Sequence, residues 1–117
     1  MPSLTRILLP VDFSGRSRGA ARHAATLARL FGAEVTVLHV VSPPHYEFSV
    51  LESGSAVLDR LYAARIEQLR KDLEGQLTEE LSGVNTVRVL EAGDPARKIV
   101  EYAHKGADLI IMPTHGY

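Results

Sequence analysis

The chain has no cysteine. Disulfides, thiolate metal sites and a cysteine nucleophile are therefore excluded, and the absence suits a reducing compartment. Charge of one sign is also lacking: 13 Lys and Arg stand against 14 Asp and Glu, a formal net charge of −1. Nothing electrostatic draws such a chain to nucleic acid or to an anionic membrane surface. Long apolar runs are absent too. Arg6 is followed by only a few apolar residues, too short a stretch for a signal peptide or a membrane span, so the expected location is cytoplasmic. Signals of catalysis are equally sparse. His23, His39, His45, His104 and His115 form no pair three or four residues apart, which argues against zinc. Ser14 and Ser42 lie in no Gly-x-Ser-x-Gly elbow. Glu79 and Glu80 read as a solvated helix face. With no acid, base or nucleophile in a recognisable arrangement, no enzymatic activity is expected.

What is present is an ordinary globular composition, 45% hydrophobic and 23% charged, in 117 residues, enough for one domain. Leu4 to Val11 is an almost unbroken apolar run, as in a strand covered on both faces. Ser14 or Gly15 opens a helix in which Ala20, Ala24, Leu27, Ala28 and Phe31 recur at helical spacing, and Gly32 stops it. Glu34 to Val41 is a second strand, broken by Pro43-Pro44. Residues 42–55 read as a long polar loop. A helix follows from Ala56 to Leu81 with Tyr62, Ile66, Leu69, Leu73 and Leu77 as its apolar stripe. Thr86 to Leu90 alternates as a third strand. Gly93-Asp94-Pro95 starts another helix, because Asp caps free amides and Pro suits the first helical position. Ile99, Val100 and Ala103 give that helix its buried face, and Gly106 ends it. Leu109 to Met112 is the fourth strand. Strictly alternating strands and helices predict an α/β fold with an open parallel sheet and right-handed crossovers.

Two strands end alike. Ile7-Leu8-Leu9-Pro10-Val11 runs into Asp12-Phe13-Ser14-Gly15, and Leu109-Ile110-Ile111-Met112-Pro113 runs into Thr114-His115-Gly116. Ligands of open parallel sheets sit beyond the carboxyl ends of the strands. Asp12 thus has two readings of equal weight: a cap for the next helix, or an acceptor for a ribose hydroxyl or an adenine amino group. Thr114, His115 and Gly116 offer backbone amides suited to a phosphate; the alternative is a plain strand-to-helix turn, and the full Gly-rich loop ending in Lys-Ser/Thr is missing.

Four segments together resemble the universal stress protein (UspA) family: Ile7 to Ser14; Val35-Thr36-Val37-Leu38-His39-Val40; Gly93-Asp94-Pro95-Ala96 with Ile99; and Gly106 to Met112 running into Thr114-His115-Gly116. The resemblance implies a Rossmann-like sheet of five parallel strands in the order 3-2-1-4-5, four of them present here. Many members of that family bind ATP, so it also implies an adenine-nucleotide-binding stress-response module for ATP or AMP, with Mg as accompanying ion. Pro10, Val11 and Asp12 would meet the adenosine, Val40 or Val41 would line the adenine pocket, Met112 would pack on the base, and Thr114, His115 and Gly116 would begin the phosphate loop. The family's signature for that loop is Gly, two residues, Gly, nine residues, Gly, then Ser or Thr. Pro113 stands at its first glycine and has no amide to offer; Gly116 is its second glycine. The remainder of the signature, the fifth strand and the last helix are expected beyond Tyr117, which makes the chain read as a C-terminally truncated single domain, residues 1–117, with impaired nucleotide binding. The alternative is a non-nucleotide interaction module of the same fold. An unpaired edge at Leu109 to Met112 predicts a homodimer or larger assembly, built on that strand or on the long helix; the competing outcome is a monomer whose loop 42–55 covers the edge.

Overall fold

The computed structural model describes residues 4–42 and 55–113. Its elements run β1 (Arg6–Pro10), α1 (Arg16–Phe31), β2 (Glu34–Val41), α2 (Ser55–Gly75), β3 (Thr86–Ala92), α3 (Pro95–His104) and β4 (Leu109–Ile110). The four strands form one sheet in the order β3-β2-β1-β4. All three pairings are parallel, with Ile7 opposite both Val35 and Leu109. The order is the one the sequence resemblance implies for these four strands.

One face of the sheet carries the core. Ile7, Leu9 and Val11 of the first strand region join Val35 and Val37 of β2, since alternate residues of a strand share a face. Against them lies α1, whose buried side is Ala20, Ala21, Ala24, Ala25 and Ala28. Small side chains let the helix backbone approach the sheet closely. Leu73, Leu77 and Leu81 complete this layer. Gly32 closes α1 in the left-handed conformation at φ 66°, which glycine adopts without a Cβ penalty. On the opposite face α3 lies over β1 and β2 and leaves Val87 and Ile110 exposed; its N-terminus is built as its sequence predicts: the Asp94 carboxylate accepts the Arg97 amide at 2.9 Å and Pro95 follows it.

The structure corrects four boundaries. The long helix ends at Gly75, not Leu81. The apolar spacing continues through Leu77 and Leu81, but Leu77 turns left-handed at φ 61°, and its side chain is buried from a turn instead of a helix. Val100, expected inside, is exposed, while its neighbours Ile99 and Ala103 are half-buried. The third strand continues past Leu90 to Ala92. The fourth is shorter than Leu109 to Met112 and pairs through Leu109 and Ile110, although the Ile111 amide still donates to the Leu8 carbonyl at 3.0 Å. Of the expected loop 42–55, residues 43–54 lie outside the described residues, and helix is already formed at Ser55.

Candidate functional site: a cleft at the strand ends

The sheet reverses its winding at β1, which has β2 on one side and β4 on the other. Adjacent connections leave in opposite directions there, and a crevice opens beyond the strand ends. A cleft of about 240 Å³ occupies this place. Pro10, Val11 and Asp12 come to it from β1, Leu38, His39 and Val40 from β2, and Pro95 and Ile99 from α3; Met112 and Pro113 form the remaining side. Its walls are apolar apart from Asp12 and His39.

Five of the residues singled out from the sequence therefore meet at one cleft: Pro10, Val11, Asp12, Val40 and Met112. Val41 is not among its lining. The period of two that brings Leu38 and Val40 to one face sends the Val41 side chain to the other, where it is buried; its carbonyl accepts the Gly93 amide at 2.9 Å. Thr114, His115 and Gly116 lie outside the described residues. Leu38, Pro95 and Ile99 were legible only as parts of a strand and a helix. Their place in the cleft follows from the register of β2 beside β1 and from α3 packing over it.

Asp12 is well provided with local partners. One carboxylate oxygen accepts the Ser14 amide at 3.0 Å and, at 3.4 Å, the hydroxyl of the buried Ser17. The other accepts from the Arg16 guanidinium at 3.4 Å. The Ser14 hydroxyl and amide, with Arg16 beside them, hold the carboxyl at about 2, below its ordinary 3.8, against a small opposing effect of burial. The Ser14 hydroxyl makes no full hydrogen bond, so its influence on Asp12 is that of a nearby dipole. Asp12 is thus both an organiser of the turn into α1 and an ionised carboxylate, its side chain 51% exposed at the cleft rim. The two readings of this residue are compatible.

Phe13, next in the chain, has φ 63°. For a residue with a Cβ, the left-handed region costs roughly 1–2 kcal/mol. Its ring packs on His39 with centroids 4.3 Å apart. The His39 Nδ1 lies 2.7 Å from the Val11 carbonyl oxygen. Among the described residues no group of three or more His, Asp or Glu side chains is placed to hold a metal ion.

The sequence model of the universal stress protein family matches residues 3–117. A universal stress protein of Methanocaldococcus jannaschii is 34% identical over 112 residues, which are 95% of this chain and 65% of that protein; the chain thus spans slightly under two thirds of that relative's length. Among solved structures, hypothetical protein MJ0577 superposes with a TM-score of 0.76 at 28% identity, covering 99% of this chain and 78% of the other. UspA of Lactobacillus plantarum gives 0.66 at 27% identity, covering 99% and 83%. A universal stress protein in complex with cAMP shares the fold alone, at 16% identity and a TM-score of 0.58 over 93% of this chain and 71% of that one. Matched from residue 3 to residue 117 and sharing the sheet order, the chain belongs to the universal stress protein family.

Proposed function

We propose that this domain is a cytoplasmic stress-response module that binds an adenine nucleotide, ATP or AMP, in the cleft beyond β1, β2 and β4. The observation that carries the reading is the pairing of an apolar slot with a single ionised carboxylate, Asp12, at its rim. A flat base fits between Val40, Ile99 and Met112, and a carboxylate accepts the hydroxyl hydrogens of a ribose. That a universal stress protein of this fold has been solved with cAMP supports the choice of an adenine ligand. By the family resemblance Thr114, His115 and Gly116 would serve the phosphates, with Mg as the accompanying ion, and Pro113 contributes no amide there. The binding energy therefore resides on the adenosine side. In calorimetric titrations the expected outcome is that adenosine and ATP bind this chain weakly and with similar affinity. Binding of neither would overturn the reading, and ATP held a hundredfold more tightly than adenosine would overturn the assignment of the energy to the adenosine side.

A second reading, self-association, is favoured by the sheet edge. Among the described residues β4 pairs with β1 alone, and Val87, Val100, Ile110 and Met112 are all exposed apolar side chains. Such surface invites a second copy. Light scattering across concentrations is expected to show a dimer or larger species that Ile110→Lys weakens; a monomer at high concentration would remove this reading.

A further inference from the structure

We infer that His39 is a positioning residue for the cleft, holding Asp12 from behind by clamping both of its neighbours; this rests on the adenine-nucleotide reading above. Val35 and Val37 point into the core beneath α1, and the period of two carries the His39 side chain to that same face. There its Nδ1 reaches the Val11 carbonyl at 2.7 Å. A carbonyl oxygen has only lone pairs to offer, so Nδ1 carries the hydrogen and donates it. The imidazole also packs against Phe13, the residue held at φ 63°, with ring centroids 4.3 Å apart and the planes tilted by 55°. A side chain forced into that region stays there only where its surroundings over-determine it. His39 supplies that surrounding on one side and fixes the Val11 carbonyl on the other.

Asp12 lies between these two fixed points. Its carboxylate is then committed to one place, accepting the Ser14 amide and facing the cleft. A ligand meeting a preset acceptor does not have to order it on binding. An aliphatic residue could occupy this half-buried position, as Val37 and Val35 occupy those one and two steps earlier on this face. What a histidine adds there is the donor.

The test uses the 117-residue chain. Nitrogen-15 spectra of the neutral His39 ring show hydrogen on Nδ1; a ring with its hydrogen on Nε2 would overturn the clamp. His39→Asn keeps a donor near the position of Nδ1 but loses the ring, whereas His39→Leu fills space without a donor. Both melt below the wild type. Adenosine affinity falls roughly five- to tenfold in His39→Leu, the scale of one hydrogen bond, and stays within about twofold in His39→Asn. Equal loss in the two variants would leave the hydrogen bond to Val11 without a part, packing on Phe13 accounting for the whole effect, and overturn the two-sided clamp, as would undiminished affinity in both. The Ser14 amide resonance supplies a readout free of nucleotide: it moves in His39→Leu and is restored in His39→Asn. If the wild type takes no adenosine, the nucleotide reading fails and His39's part in binding with it, while the amide resonance still decides whether the clamp holds the turn.

Discussion

At the scale of single residues, Asp12 links local structure to a pH dependence with a definite sign. Its carboxyl is lowered to about 2 from 3.8, first by Ser14 and then by Arg16. A group whose folded value is depressed stabilises the fold when ionised. That contribution is complete above the unfolded value and is lost as pH falls through the folded one. Asp12 is half exposed, so solvent screening keeps the contribution small. The expected outcome is a carbon-13 titration of the Asp12 carboxyl with its midpoint near 2, far from 3.8; in the Asp12→Asn variant, stability falls less between these two pH values than in the wild type. A midpoint at the ordinary value would show that the turn does not hold the carboxylate. The candidate role of Asp12 was legible in the sequence because an acidic residue directly after an apolar strand is conspicuous. That of His39 was not. A histidine within a strand carries no mark of what stands opposite it, and only the register of β2 against β1 brings it to the Val11 carbonyl.

Among the elements, α1 shows most plainly how sequence sets position. Ala21, Ala24 and Ala25 are fully buried against the sheet. A larger residue has no room without moving the helix, and moving it displaces the turn from Asp12 to Gly15. Ala24→Leu is therefore expected to cost about 1–3 kcal/mol through overpacking, seen as a lower urea midpoint; an unchanged midpoint would mean that the interface yields. The sequence of elements was readable because apolar period and punctuation agreed: Gly32 ends α1 and Asp94-Pro95 opens α3 where the pattern places them; the strand order came from the family resemblance alone. The end of α2 was misread for a physical reason. Leu73, Leu77 and Leu81 keep helical spacing and all three are buried, yet the chain leaves the helix at Gly75 and delivers the last two from turns. Burial was legible there and backbone conformation was not. Val100 departs the other way: helical spacing groups it with Ile99 and Ala103, but no residue of this ten-residue helix is fully buried, Ile99 and Ala103 are half-buried, and Val100 faces outward.

For the whole molecule, β1 is the shared partner of β2 and β4, and the two pairings are very unequal in sequence distance. Ile7 faces Val35 on one side and Leu109 on the other. Asp108 reinforces the distant pairing: its carboxylate accepts the Thr5 amide and hydroxyl, both at 2.8 Å, and the Arg6 amide at 3.0 Å. Closing the longer chain segment costs about 1 kcal/mol more entropy than closing the shorter one, and only two residue pairs of β4 return it. Pairing of β1 with β2 around α1 is accordingly the event that folding meets first, with β4 docking onto a sheet already formed. Hydrogen exchange reads this order from the native side, with the Asp108 and Ile111 amides, which donate to β1, exchanging well before that of Val11, which donates to the Leu38 carbonyl of β2; uniform protection across the three would show a single cooperative unit. Met112 and Pro113 follow directly on the strand that docks last, so the wall they form is the one that opens first when the molecule fluctuates. A ligand bound there as proposed would touch Met112 as well as β1 and β2, and so would hold the fourth strand against the sheet.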